Sequence, residues 1–420
     1  MKIAVLGINY HPELSGIGIY TTEMCEYLVS KGHDISVFTA FPYYPFGSEY
    51  KTWYVEKKIR HSVFYMREEI KGVRINRCNL FKPRKPGIFG RMIHELSFAG
   101  TALSKLLKDR DRYDLIVCIV PPFLLGLTAI IFSKFKKTRV LLHIQDLEID
   151  AARELGMIKN KLLLSLLGSV ERYIFKKVDT ITTISDAMRQ KIVEKGIESR
   201  RVGLFYNWAD PGKITPLPGS NTFSKKHNLD GKFVVLHAGN MGEKQDIDII
   251  LKAAVIMSEE KDVCFLLVGN GIKKPAAERY VKEHGLANVL IMGPQPEEAV
   301  NEMLSSCSVA LVTQDRNIKN CVMPSKALGP VCAEKPIIIS AHETCEICKL
   351  AEEHKFGIIV PAGDAARLVE AIRRIKSDTK FADTLGKNGR LFTIEHRHFD
   401  KVLKRFEENL AARYSKNPQA

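Results

Sequence analysis

The chain of 420 residues is longer than one ordinary hydrophobic core supports and fits two domains of about 200 residues each. Its 45% hydrophobic and 26% charged residues exclude a disordered chain, and no run reaches the roughly 18 consecutive apolar residues of a membrane-spanning helix. Lys and Arg outnumber Asp and Glu by 63 to 48, a net charge of +15, which calls for nucleic acid, phospholipid or a phosphorylated substrate as partner.

The first predicted strand, residues 2 to 7 (KIAVLG), runs into GINYHPELSGIG and a helical stretch IYTTEMCEYLVSKG. This start turns polar too early for a signal peptide, so a cytoplasmic location is expected. The turn lacks GxGxxG, and the second strand, 34 to 40, is followed by no acidic residue for a nicotinamide ribose, which disfavours a dinucleotide dehydrogenase. Gly16-Ile-Gly18 opens the helix. These small residues either let an anion approach the positive helix end or form a plain flexible loop.

Residues 80 to 98, LFKPRKPGIFGRMIHELSF, mix Lys82, Arg84, Lys85 and Arg91 with Ile88, Phe89, Met92 and Ile93. That combination lets apolar side chains dip into a leaflet while cations meet lipid phosphates. Strands follow at 115 to 120, 139 to 144, 180 to 185 and 202 to 207. The second of these predicts a strand end at His143-Ile-Gln-Asp146, read either as a hydrogen-bonded pair or as substrate contacts. Residues 159 to 177, KNKLLLSLLGSVERYIFKK, read as a helix packed on the core in preference to a second lipid-facing patch.

Three prolines and polar turn clusters make 208 to 232 an interdomain linker. Beyond it, apolar strands at 233 to 239, 263 to 269, 288 to 293, 308 to 313, 336 to 340 and 356 to 360 alternate with helical stretches. Continuous apolar strands separated by helices mean parallel sheets covered on both faces. The expectation is therefore α/β, with two doubly wound Rossmann-like domains, 1–207 and 233–394, facing a cleft. The helical pattern at 395–415 is expected to cross back to the first domain.

Gly239-Asn-Met-Gly242 follows a strand's carboxyl end, where ligands of open α/β sheets sit. Asn240, Lys244 and Gln245 suit a diphosphate there. In NCVMPSKALGP, Ser325 is expected to cap a helix that brings amides and Lys326 to a second phosphate-friendly point, or else Lys326 is a surface lysine. Nine cysteines, mostly isolated, suit reduced thiols, and Cys345-Glu-Ile-Cys348 lacks the second ligand pair of a structural zinc. No nucleic-acid-binding signature appears, so no nucleic acid partner is expected.

GINYHPELSGIG, HIQDLEIDAARELGMI, YNWAD, GNMGEKQ, LVGNG, MPSK and FGIIVPAGD, in that order, resemble the family 4 retaining glycosyltransferases of the GT-B fold, and within them the WbuB-like and WcaI-like enzymes of O-antigen and colanic acid assembly. The resemblance covers nearly the whole chain. It implies a nucleotide sugar, UDP- or GDP-linked, held by the second domain. Asn240, Lys244 and Gln245 would sit by the diphosphate, Ser325 and Lys326 beside phosphates or ribose, and Gly269 and Gly271 near the base. Gly16 and Gly18 would face the diphosphate from the first domain, and His143 and Asp146 would meet the reacting sugar.

The resemblance further implies no metal or other cofactor and a polyprenyl-diphosphate-linked glycan acceptor. It also implies a peripheral site on the inner membrane face, met by Lys82, Arg84, Lys85, Phe89 and Arg91. One departure stands out: Cys321 and Gly329 occupy the positions where many family members carry two glutamates. A catalytically silent nucleotide-sugar or glycan-binding protein is the alternative reading this leaves open.

Overall fold

The computed structural model of the chain describes residues 1–44, 50–58, 63–83 and 88–414, apart from the side chains of Ile88 and Phe89. Two compact units divide them. The first comprises Met1–Arg153, Ile158–Phe205 and the chain from Leu403; the second comprises Glu154–Met157 and Tyr206–Val402.

In the first unit, strands β1 (Lys2–Leu6), β2 (Asp34–Ala40), β3 (Tyr65–Ile70), β4 (Val73–Cys78), β5 (Leu115–Val120), β6 (Arg139–Ile144), β7 (Thr180–Thr183) and β8 (Val202–Leu204) form one sheet, ordered β3-β4-β2-β1-β5-β6-β7-β8. All pairings are parallel except the β3–β4 hairpin at the edge. Its helices are α1 (Gly16–Ser30), α2 (Lys51–Glu56), α3 (Ile88–Lys108), α4 (Leu125–Lys136), α5 (Glu148–Glu154, whose last residue clusters with the second unit), α6 (Lys161–Lys177) and α7 (Asp186–Glu194). Strands such as β5, LIVCIV, are buried along their whole length because helices cover both faces.

The β3–β4 hairpin is absent from the apolar strand pattern. Its sequence YMREEI–VRINRC is charged, yet Arg77 lies fully buried in β4. The guanidinium is satisfied there by Glu68 Oε1 at 2.6 Å and the His11 carbonyl at 2.6 Å, and its plane lies 4.9 Å from the Trp53 ring. A buried charge persists only when paired in this way.

The second unit holds β9 (Phe233–Ala238), β10 (Val263–Val268), β11 (Val289–Met292), β12 (Val309–Thr313), β13 (Ile337–Ala341) and β14 (Gly357–Pro361) in the order β11-β10-β9-β12-β13-β14, all parallel. Helices α8 (Thr222–Lys226), α9 (Ile247–Ile256), α10 (Lys274–Glu283), α11 (Glu297–Ser306), α12 (Leu328–Cys332), α13 (Glu346–Glu353), α14 (Ala365–Ser377) and α15 (Thr379–His396) surround it. Alternate strand residues feed two cores. Val234, Leu236, Val312 and Ile339 pack on one face, and Val235, Leu267, Leu311 and Ile338 on the other. The strand order reverses direction at β9/β12, where ligands of open α/β sheets gather at the carboxyl edge.

The stretch 208 to 232, read from its prolines as a linker, is instead folded into the second unit. Asn221 forms a capping box with Ser224 at the start of α8, and Phe223 is buried in the core. The last helix, α16 (Phe399–Tyr414), spans the point at Leu403 where the chain returns to the first unit's cluster. There Phe406 stacks on Phe205 at a centroid distance of 3.8 Å.

Candidate active site

At the carboxyl edge of the second sheet, β9 ends in Gly239 and the loop to α9 is stitched to the loop after β10. Gly239 N donates to Val268 O at 2.8 Å, Met241 N to Asn270 O at 2.8 Å and Lys273 N to Met241 O at 2.9 Å. The two loops approach too closely for side chains. Gly269 and Gly271 have φ of +148° and +149°, and a Cβ on Gly269 would collide with the Gly239 carbonyl oxygen. These glycines thus serve loop-on-loop packing.

Gln245 turns inward: its Oε1 accepts from Gly242 N at 3.0 Å, and its carbonyl accepts from Lys273 Nζ at 2.8 Å. Its amide carbonyl therefore braces the loop. Asn240 is exposed at the loop tip and Lys244 is half-buried. Lys244 O accepts from Asp315 N at 2.9 Å, tying the loop to the end of β12. Asp246 caps α9 through Ile249 N at 3.2 Å, which leaves the cap position unavailable to a phosphate.

Lys326 lies in a short 3-10 turn, Ser325–Ala327, and its chain passes over Gly239. Its Nζ is shielded from solvent and meets no hydrogen-bond partner among the described residues. Burial pushes its pKa down to about 7. His237, fully buried near the end of β9, also has both ring nitrogens without a partner. Burial first, then the Lys326 charge, hold its pKa well below the usual histidine value. Thr313 Oγ1 and Gln314 Oε1, at the end of β12, are two more buried, unpartnered polar atoms. Buried polar groups are ordinarily satisfied, so four side chains lacking partners at one sheet edge point to a ligand with acceptors and donors of its own.

Ser325 does not cap a helix. Pro324 occupies the cap position without a side-chain bond, and α12 is only five residues long. The positive charge there comes from the lysine and not from a helix end. Sequence reasoning also left His237, Thr313 and Gln314 without a role; each sits at a strand's last position or within one residue of it, where the loops of this fold meet a ligand.

Cys321 is fully buried, and its Sγ donates to Glu154 Oε2 at 3.0 Å, in the segment Glu154–Met157 that clusters with this unit. Gly329 lies against α11, where an added Cβ would stand 3.3 Å from Leu304 Cδ1. A glutamate at 329 would require Leu304 to move.

In the first unit, Ser15 caps α1, its Oγ accepting from Gly18 N at 3.2 Å. Gly16 is exposed in that first turn, but Gly18 is buried. A Cβ on Gly18 would stand 3.0 Å from Glu13 O and from Ser15 Oγ, so its small size serves the loop and not a ligand. Glu13, unremarked in the sequence pattern, pins this loop. Buried, it accepts from Tyr43 N at 2.7 Å, Tyr44 N at 2.8 Å and Asn9 Nδ2 at 2.7 Å.

His143 is buried with both ring nitrogens engaged, Nδ1 by Thr182 Oγ1 at 3.0 Å and Nε2 by the Gln145 amide at 2.9 Å. Burial pushes its pKa down to about 3. Both ring nitrogens are thus taken up in strand-end hydrogen bonds with Thr182 and Gln145. Asp146 is half-buried one residue past Gln145. Lys82 donates to Tyr54 Oη at 3.0 Å, and Arg91 pairs with Glu95 at 3.1 Å and Glu148 at 3.7 Å, so neither cation stands unpaired. Arg84, Lys85 and the side chain of Phe89 lie outside the described residues.

Among the described residues, no group of three His, Cys, Asp or Glu is placed to hold a metal ion, and no helix is long and apolar enough to cross a membrane. Cys345 and Cys348 are both buried; Cys345 Sγ donates to Lys319 O at 2.9 Å and Cys348 Sγ to His342 O at 3.7 Å.

Two parallel α/β units, the second carrying glycine-rich loops and an unpartnered buried lysine at its switch point, define a GT-B glycosyltransferase architecture. The solved structure of HepE from Anabaena in complex with UDP-glucose superposes with a TM-score of 0.72 over 98% of this chain and 100% of that one, at 14% identity. Sucrose-phosphate synthase from Thermosynechococcus elongatus gives 0.73 over 97% and 98%, at 18% identity.

The profile "Glycosyl transferase 4-like domain" matches residues 15–208, and "Glycosyl transferases group 1" matches 220–392. WcaI of Escherichia coli (strain K12), named for colanic acid biosynthesis, is 32% identical over 385 residues, covering 89% of this chain and 92% of its own. WbjE of Pseudomonas aeruginosa, named as a glycosyltransferase, is 26% identical over 64% of this chain and 68% of its own. The chain belongs to the family 4 glycosyltransferases and is a hexosyltransferase-type enzyme.

Proposed function

We propose that the enzyme transfers a sugar, with retention of anomeric configuration, from a UDP- or GDP-sugar to a polyprenyl-diphosphate-linked glycan on the inner face of the cell membrane. The observation that carries this reading is Lys326, whose buried Nζ lacks a partner beside the Gly239 loop. A diphosphate supplies the anionic acceptor that this ammonium lacks. Asn240 and Lys244 hold the same diphosphate, while Gly269 and Gly271 keep the neighbouring loop low enough for the nucleoside. Gly16 and Asp146 remain proposed contacts from the first unit.

In the transfer, the bond from the anomeric carbon to the diphosphate oxygen breaks. The bond to the acceptor oxygen forms on the same face, and the acceptor proton passes to the departing diphosphate. Negative charge grows on that diphosphate, and a preorganised ammonium in a dry setting stabilises it strongly. Such a site serves the chemistry without a metal. UDP-glucose in HepE supports a nucleotide-sugar donor. WcaI's name supports an exopolysaccharide product, and the sugar proposed for transfer is GlcNAc, L-FucNAc or fucose.

The test is nucleotide release from UDP- and GDP-hexoses in the presence of an undecaprenyl-diphosphate-linked sugar. The expected result is acceptor-dependent release that falls at least tenfold in Lys326→Ala. Binding of nucleotide sugar without release under any acceptor supports instead the silent binding protein suggested by Cys321 and Gly329.

A further inference from the structure

Helix α6 is built in two unlike halves. Its second half is fixed into the first unit. Buried Glu171 pairs with Lys195 at 2.5 Å, Arg201 donates to the Phe175 carbonyl at 3.0 Å, and Ile174 fills the space left by the missing side chain of Gly126 in α4. The first half, KLLLSLL, has no fully buried residue and is capped at its start, where Asn160 Oδ1 accepts from Leu162 N at 2.9 Å and Leu163 N at 3.1 Å. Its side chains are largely uncovered. Leu162 is 82% and Leu166 61% exposed, and Tyr173 continues their stripe two turns on at 43%. The expected core packing of this stretch therefore holds for one half and fails for the other.

The charges around the stripe have one sign. Lys159, Lys161, Arg172, Lys176 and Lys177 are exposed, while Glu171, the only acid between 159 and 177, is buried and paired. The neighbouring helix α4 repeats the pattern, exposing Ile131 and Phe135 beside Lys134. A soluble protein gains nothing from holding leucines in water, so exposed apolar side chains grouped on one helix face mark a surface that is covered in use.

We propose that the leucine stripe of α6 enters the interfacial layer of an anionic phospholipid membrane while its flanking cations meet lipid phosphates. This deepens the membrane-surface reading given above and rests on it, moving the contact from residues 80 to 98 to α6. An amphipathic helix with leucines on one side and cations at its margins binds such a surface through both terms together. A second copy of the chain fits worse, because a two-fold contact through the stripe brings like cations against one another.

The test is flotation of the full-length protein with vesicles of phosphatidylethanolamine and phosphatidylglycerol, 3:1, against vesicles of phosphatidylcholine alone. UDP and GDP binding is measured on the same samples. The expected result is binding to the anionic vesicles that falls at least tenfold in Leu162→Glu/Leu166→Glu and severalfold in Lys159→Glu/Lys161→Glu, with nucleotide affinity and thermal midpoint unchanged. Flotation that survives the leucine changes, or no flotation of the unaltered protein, overturns the proposal. A vesicle-free dimer dispersed by the same leucine changes overturns it in favour of self-association. Loss of nucleotide binding in the unaltered protein strikes the donor reading and leaves the vesicle result standing.

Discussion

Lys326 lays its aliphatic chain across Gly239: a Cβ built on that glycine would stand 3.7 Å from Lys326 Cβ and 3.9 Å from Cε. The glycine thus gives the lysine passage to its buried end point, where no described group accepts from Nζ. Burial alone lowers the pKa to about 7. A diphosphate arriving at Nζ reverses that shift by favouring the charged form. Binding of UDP or GDP at pH 8 is therefore expected to take up roughly one proton per site. Calorimetry in two buffers of different ionisation enthalpy measures it, and Lys326→Met should abolish the buffer dependence while weakening binding at least tenfold.

The same lysine sets a pH dependence of stability in the absence of donor. Its folded pKa is depressed from 10.5 to about 7, so between these values the unfolded chain holds the extra proton. Stability therefore rises as pH increases from 7 toward 10, by roughly 1 kcal/mol per pH unit. Urea midpoints across that range should climb in the parent relative to Lys326→Met, in which this contribution is flat.

Gly269→Ala meets two obstacles, a φ of +148° and the carbonyl of Gly239. Both loops must part to admit the methyl group. We expect a loss of at least about 3 kcal/mol, the scale of strain combined with overpacking, and loss of nucleotide binding in whatever remains folded. Gly293→Ala is the control, since a Cβ there meets nothing within 4 Å. Thermal unfolding of the two variants side by side checks the contrast.

The second sheet was legible in full from the sequence because its strands are uninterrupted Val, Ile and Leu runs ended by glycine or polar residues, as in VCFLLVG. The β3–β4 hairpin was not. Arg77 is interior only because Glu68, His11 and Trp53 come to it from distant parts of the chain, and such pairing leaves no local periodic trace. The glycines of the site were legible as glycines but not in purpose. Gly18 and Gly269 look like openings for a ligand, and each is closed by a carbonyl oxygen of the protein itself. Lys326 was legible by its neighbours MPSK, whereas His237 was hidden, since one histidine at the end of an apolar strand has no sequence signature.

His143→Ala tests the structural role assigned to this residue. The change leaves Thr182 and Gln145 short of a partner beside Phe205, which costs about 2 kcal/mol. Transfer rates per folded molecule at 20 °C should stay within about threefold of the parent, far from the losses that follow removal of a catalytic acid or base. The histidine also titrates with a definite sign. Its folded pKa of about 3 lies below the ordinary 6.5, so the unfolded chain binds more protons between those values and stability falls as pH drops from 6.5 toward 3. The parent should lose more stability over that interval than His143→Gln, as followed by circular dichroism at fixed urea.

Lys195 stands between two carboxylates, Asp150 and Glu171, and Glu171 is almost completely buried on α6. Burial raises the Glu171 pKa, and Lys195 is the main opposing influence. Lys195→Met leaves buried Glu171 without its cation and Asp150 with Arg153 at 3.9 Å, which costs about 3–5 kcal/mol at neutral pH. The sign of the pH dependence follows from Glu171. A carboxyl whose folded pKa lies above its unfolded value is stabilised in the fold when protonated, so the variant should recover stability as pH falls from 8 toward 5. Thermal midpoints measured across that range should converge on those of the parent at the acid end. A deficit of equal size at every pH would assign the loss to packing of the lysine chain over the Phe175 ring, 5.7 Å from its ammonium, and not to the charge imbalance at the buried acid.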